Sequence, residues 1–222
     1  MKARAARNSL KAIKVEGEWV DTPLEVRRKV VVYFRKQVEE VRRDRPALDG
    51  VHFARLSEME NRELISPFTS MEIEAVVKAS DGNKSPGPNG FNFAFLKEFW
   101  YNLKNEVRIM FDQFHANEKI LKSFLSYIVT LIPKVKAPMS LKEFRLISIL
   151  GCLYKVLSKV LASRLSKVMN SIISSSQSAF LKGRHLVDGV LVMNEVVDLA
   201  KKSKRECLIL KVDFEKAYDS VD

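Results

Sequence analysis

Near its end the chain reads LILKVDFEKAYDSVD, where an apolar run finishes in carboxylates. Leu208, Ile209, Leu210 and Val212 form a short β-type run, Asp213 stands at its exit, and Asp219 and Asp222 follow. An ionised carboxylate at the end of a buried strand is costly unless something neutralises it. Metal coordination is one solution. Phosphoryl chemistry uses it when two Mg²⁺ ions, held by carboxylates, activate an attacking hydroxyl and stabilise the leaving oxygens. One aspartate does not hold two ions, so Asp213 needs at least one more carboxylate from elsewhere. Taken by itself, VDFEKAYD reads by default as a salt-bridged surface aspartate.

The basic residues are the second group with chemistry to offer. Lys and Arg number 38 against 27 acids, a net charge of +11, and the pI is near 9.6. Such an excess favours polyanion partners, because each neutralised phosphate releases counterions. Membrane surfaces and ribosomal RNA attract the same charge, so sign alone does not choose the partner. Between Leu146 and Val187 there is no acid, while Lys155, Lys159, Arg164 and Lys167 all occur, and nucleic-acid contact is the preferred reading there. In SSSQSAFLKGRHLVDG, Gly183 stands between Lys182 and Arg184, where a glycine lets the backbone approach a phosphate closely.

Other chemistries find little support. Cys152 and Cys207 lie far apart without CxxC spacing, which argues against a disulfide framework or a zinc knuckle. His52, His115 and His185 are scattered and read as surface or packing residues. Lys2, Arg4, Arg7, Lys11 and Lys14 break up the first fifteen residues, so no signal peptide is expected. The longest apolar stretch, Phe124 to Ile132, is about half of what a membrane span needs. An intracellular, soluble type of chain is expected, with 46% hydrophobic residues and room for one large domain or two small ones.

Elements must position these groups. After a basic arm over residues 1–20, DTPLE predicts a helix start, with Thr22 as N-cap, Pro23 at the first helical position and Glu25 closing a capping box. Val26, Val30, Phe34, Val38 and Val41 recur at helical spacing. Arg27, Arg28, Lys29, Arg35, Lys36, Arg42 and Arg43 read as its solvated face. RPALDG reads as a linker. A second capping box, Thr69 with Glu72, starts a helix that ends in DGNKSPGPNG, the strongest loop signal in the chain. Phe91, Phe95 and Phe99, with Phe93 and Trp100 beside them, read as a core stripe rather than a base-stacking platform. SYIVTLIPK is a β-type run. Leu153, Val156, Leu157, Val160, Leu161, Leu165, Val168 and Ile172 fit one long helix, and another runs from about Leu186 to Lys201.

Four stretches, in order, carry a resemblance: KSPGPNGFNFAFLKEFW, LIPK with EFRLISILGCLYKVLSKVLASRL, SSSQSAFLKGRHLVDGVLVMNEVV, and LKVDFEKAYDSVD. Together they resemble the reverse transcriptase of plant non-LTR (LINE-type) retrotransposons, from roughly Pro67 to the last residue. GEWVDTPLEV and RPALDGVHFARLSEME extend it more weakly towards the N-terminus. The resemblance implies an α+β, mainly helical fold: the fingers of a right-hand polymerase, an N-terminal extension and the first palm strand. Its segments would be a basic N-terminal helical region at 1–60, the extension at 61–125, fingers at 126–205 and the truncated palm at 206–222.

The same resemblance implies roles. Asp213 would be a catalytic metal ligand, and Phe214 would offer its backbone carbonyl to the second Mg²⁺. Tyr218 resembles the aromatic gate under the incoming sugar, where a ring against C2′ leaves no room for a ribose hydroxyl. Arg145 and Lys155 would face the triphosphate, whose charge cations offset. Gln177, Lys182, Gly183 and Arg184 would line the template, and the KSPGPNG loop, with Lys84, would grip template RNA. Asp219 belongs to the pattern without being a ligand. The implied partners are an RNA template, a DNA primer and dNTP, with no membrane, working in the nucleus or cytoplasm.

There are departures. Leu146 stands where the family usually has Pro, which loosens the local turn, and Asn89 stands where it usually has Asp. The palm's second metal motif is an Asp-Asp pair, and these 222 residues contain none. The expectation is a reverse transcriptase fragment that is inactive alone. The alternatives are a non-catalytic basic RNA-binding module and a retrotransposon remnant without function.

Overall fold

The computed structural model describes residues 12–15, 17–38, 50, 52–175, 177 and 180–209. They fall into two compact units. One holds the described residues up to 38 with Tyr127–Ile149, and the other holds those of Leu48–Ser126 and Leu150–Lys211. The described fold is mixed and mainly helical, with two separate two-stranded sheets.

In the first unit, β1 (Ile13–Val15) pairs antiparallel with β2 (Glu18–Val20), placing Ile13 opposite Val20 and Lys14 opposite Trp19. The period-two alternation of a strand buries Ile13 and exposes Lys14. Helix α1 (Pro23–Val38) starts where the sequence predicts, with the Val26 N–H donating to the Thr22 carbonyl at 2.9 Å. Val26 is buried and Val30 and Phe34 are half-buried, whereas Arg27, Arg28, Lys29, Arg35 and Lys36 are exposed. Val41, Arg42 and Arg43 lie outside the described residues.

Strand β3 (Tyr127–Pro133) pairs with β4 (Phe144–Leu150), and a short 3₁₀ turn, Leu141–Glu143, leads into β4. Ile13, Val26 and Leu141 form the small core of this unit, with Leu131 and Phe34 packed against it. The Glu143 carboxylate accepts the Ser140 and Met139 N–H groups, which hold it below the usual carboxylate range.

The second unit is helical. It contains α2 (Glu58–Ile65), α3 (Ser70–Ala79), α4 (Phe93–Glu98), α5 (Trp100–Asn117), a 3₁₀ turn at Lys122–Leu125, α6 (Cys152–Ile172) and α7 (Leu186–Ser203). Two capping boxes start its first helices. The predicted one is Thr69 with Glu72; the other, Ser57 with Glu60, follows the same spacing and was not anticipated. Thr69 Oγ1 accepts the Glu72 N–H at 3.2 Å while the Glu72 carboxylate accepts the Thr69 N–H at 2.9 Å. Thr69→Ala is expected to cost about 1 kcal/mol, read as a lower urea midpoint with an unchanged slope.

The core gathers Phe68, Ile73 and Val77 from the α3 region, Phe93 and Leu96 from α4, Val107 and Phe111 from α5, and Val156, Leu157 and Val160 from α6. Each large side chain fully buried here stabilises by roughly 1.5–3 kcal/mol. The expected aromatic core stripe divides in two. Phe93 is 2% exposed and buried. Phe91, Phe95 and Phe99 instead stack along the surface with ring centroids 4.3 and 4.8 Å apart, Phe91 and Phe99 each 45% exposed. The cause is periodicity: α4 turns Phe93 and Leu96 inward, so the i, i+4 series beside them points out. Helix α7 buries no residue, and Leu186, Val190 and Leu199 are exposed along it.

Candidate nucleic-acid interface

The KSPGPNG loop follows α3 and is held by backbone contact rather than by its charges. A Cβ built on Gly87 would lie 2.5 Å from Gly151 Cα and 2.7 Å from the Leu150 carbonyl oxygen, so this loop rests directly on the entry to α6. Asn89 Oδ1 accepts the Phe91 N–H at 3.3 Å, the local turn that an Asn in place of Asp still permits. Asn92 caps α4 by accepting the Phe95 N–H at 3.1 Å. Lys84 is exposed at the start of the loop, 3.8 Å from the Asp81 carboxylate.

In the acid-free stretch of α6, Arg164, Lys159 and Lys155 hydrogen-bond within the protein, while Lys159 and Lys167 stay exposed. Arg164 is buried, and its guanidinium donates all five hydrogen bonds inside the protein. Nε and Nη2 reach the Glu72 carboxylate at 2.7 and 2.9 Å; Nη1 and Nη2 reach the carbonyls of Leu64, Ser66 and Pro67. Its plane lies 4.1 Å from the Phe68 ring centroid. Lys159 donates to Ser80 Oγ at 2.9 Å and sits 5.0 Å from the Phe93 centroid. Lys155 donates to the Ser85 carbonyl at 3.2 Å, tying the KSPGPNG loop to α6. Of the four cations read as a nucleic-acid face, Lys167 is the one with no hydrogen-bond or ion-pair partner among the described residues. The partners of these cations are carbonyls, the Ser80 hydroxyl and a glutamate 92 residues earlier in the chain than Arg164.

Burial pushes Glu72 up, but the hydrogen bonds from Arg164 and Thr69 and the Arg164 charge outweigh it and hold the carboxyl below its usual range. Burial also raises the Cys152 thiol, which is a free cysteine, as is the exposed Cys207. His115 Nε2 pairs with the Ile65 carbonyl at 2.9 Å, its ring edge-on to Phe68, a packing role.

The other predicted site residues fall in both units. Arg145 is exposed on β4, in the first unit, whereas Lys155 belongs to the second. At the turn between α6 and α7, Lys182 is exposed and Gly183 has φ +83, a left-handed conformation that glycine adopts without strain. Arg184 closes this turn: Nη1 donates to the Ser174 and Gln177 carbonyls and Nη2 to that of Ile173, beyond the end of α6. Asp213, Phe214 and Tyr218 lie outside the described residues. Among the described residues no three His, Cys, Asp or Glu side chains converge as a metal site, and no helix is long and apolar enough to cross a membrane.

Sequence reasoning missed Glu72 and Ser85 as partners of α6, because neither lies near it in the chain. The available signal was charge arithmetic: a cation on the packed side of a helix, such as Arg164, requires an acceptor somewhere.

Residues 132–222 match the family model of reverse transcriptases, RNA-dependent DNA polymerases. Over 168 residues, 75% of its length, the chain is 30% identical to the transposon TX1 uncharacterized 149 kDa protein of Xenopus laevis. It spans only 13% of that relative. These similarities, together with the mixed, mainly helical fold, support a reverse transcriptase segment at residues 132–222.

Proposed function

We propose that the chain is part of an RNA-directed DNA polymerase of a LINE-type, non-LTR retrotransposon, contributing template, primer and dNTP contacts. The observation that carries this reading is the reverse transcriptase match over residues 132–222, which includes Asp213. Exposed Arg145 and Lys182 are placed to meet phosphates, as is Lys84 once it leaves Asp81, and Lys155, Gly183, Gln177 and Arg184 shape the loop and turn on which such contacts depend. Arg184 acts on the template by fixing the turn at the end of α6.

The donor set at the family's metal position is all oxygen, the Asp213 carboxylate and the Phe214 carbonyl, which suits a hard cation such as Mg²⁺. When bound, such ions lower the charge barrier to attack by a primer hydroxyl. Asp213 would hold one, and Tyr218 would close the floor beneath the sugar. With no Asp-Asp pair in these 222 residues, the segment by itself is proposed to bind without polymerising.

The test is a pair of assays on wild type and Asp213→Ala. Both chains are expected to bind a labelled RNA–DNA primer duplex with affinities within about threefold of each other. Neither is expected to extend the primer when dNTP and Mg²⁺ are added. Extension by the 222-residue wild type overturns the proposed inactivity, and absence of nucleic-acid binding at low salt overturns the functional reading itself.

A further inference from the structure

Trp19 is one of two tryptophans in the chain, and 57% of its surface is exposed. It stands on β2 directly across from Lys14, so the two side chains share the outer face of the hairpin. A groove of about 800 Å³ opens beside it, lined by Val15, Glu18, Trp19, Glu25, Arg28 and Lys29, among others. That volume exceeds what a nucleobase needs.

Charge separates this place from α6. Among residues 12–38 the described cations are Lys14, Arg27, Arg28, Lys29, Arg35 and Lys36, against Glu18, Asp21 and Glu25. All six are exposed, and none is in an ion pair among the described residues. On α6, by contrast, Arg164, Lys155 and Lys159 are spent on internal hydrogen bonds. A free cation keeps its full gain from meeting a phosphate; a committed one must first give up a partner.

We infer that the Trp19 groove is a single-stranded RNA site of this unit, a reading that rests on the nucleic-acid function proposed above. One unpaired base stacks on the exposed indole, which lines the groove. Arg28, Lys29 and Lys14 neutralise the phosphates on either side. Glu18 and Glu25 repel a phosphate from the groove itself. They also accept hydrogen bonds from a base amino group or a ribose 2′-hydroxyl, which puts a nucleoside in the groove and the phosphates at its rim. The same unit carries Arg145, which is also proposed to meet nucleic acid.

Fluorescence anisotropy of the full 222-residue chain with a labelled, unstructured 12-nucleotide RNA tests this. Trp19→Ala is expected to weaken binding about 5- to 150-fold, the range for losing one base stack, while Trp19→Phe stays within about threefold. Arg28→Ala with Lys29→Ala is expected to lower the slope of log affinity against log salt by about 1.4, for two single-strand phosphates. A duplex DNA of equal length offers no unpaired base and is expected to bind Trp19→Ala and wild type alike. All these side chains are exposed, and unchanged circular dichroism confirms folding. If wild type binds the RNA and Trp19→Ala binds it equally well, the groove is not an RNA site, although the functional reading survives. If wild type binds no RNA, both readings fall.

Discussion

Arg164→Ala is expected to lower the unfolding free energy by about 3–5 kcal/mol, the range for removing one partner of a buried ion pair. The guanidinium is the most heavily committed polar group described, with two bonds to Glu72, three to carbonyls at and just beyond the end of α2, and a face against Phe68. Truncation orphans the carbonyls of Leu64, Ser66 and Pro67 together and leaves Glu72 without its counter-charge. It also opens a void beside Phe68, itself packed edge-on to Phe111 at 5.0 Å. Arg164→Lys should recover little, because a lysine offers a point charge where a planar fork meets both carboxylate oxygens and three carbonyls. Urea unfolding at pH 7 measures both variants, and a loss under about 1 kcal/mol for Arg164→Ala would show that water replaces the guanidinium.

The same pair sets a pH dependence. Because Glu72 is held below its unfolded value of ~4.3, the folded state binds fewer protons near that pH than the unfolded state does. Its contribution is therefore fully present above the unfolded value and is lost as pH falls through the folded one. The stability gap between wild type and Arg164→Ala is expected to be constant from pH 7 to about pH 5.5 and to narrow towards pH 3. A gap that stays the same at pH 3 would place the effect in packing against Phe68 rather than in the charge.

What was legible in the sequence was local. Thr22–Pro23, Thr69–Glu72 and the DGNKSPGPNG loop are each written within a few residues, and the structure puts helix starts and a loop there. The long apolar period from Leu153 to Ile172 likewise became α6. What was hidden depends on contacts distant in the chain. FRLISIL has no clean period of its own and becomes β4 because β3 is available to pair with it. Arg164 reads as a surface cation until Glu72 is brought to it. The Phe91, Phe95 and Phe99 series has helical spacing, but spacing cannot say which face turns inward; Phe93 and Leu96 decide that. Of the site, the positions of the loop and of the Lys182–Arg184 turn were legible. The internal commitments of Lys155 and Arg184 were not.

Gly87→Ala is expected to destabilise by about 1–3 kcal/mol, whereas Gly151→Ala should cost less than about 1, although the two residues touch. The asymmetry follows from direction. A methyl on Gly87 points at the backbone of Leu150 and Gly151, at 2.5–2.8 Å, and backbone has no rotamer with which to yield. A methyl on Gly151 meets nothing within 4 Å, and its φ of −63 is open to any residue, so it loses only the mild N-cap preference of glycine over alanine. For a chain of this size the Gly87 variant should melt roughly 2–12 °C lower. Relief of the overlap requires the loop to lift from the α6 entry, which also pulls Ser85 from Lys155 at its present 3.2 Å. Lys155→Met in the Gly87→Ala background should therefore cost less than in wild type, since the bond it removes is already strained. Additive losses in that double-mutant cycle would mean that the loop bends locally at Gly87 and keeps its hold on Lys155.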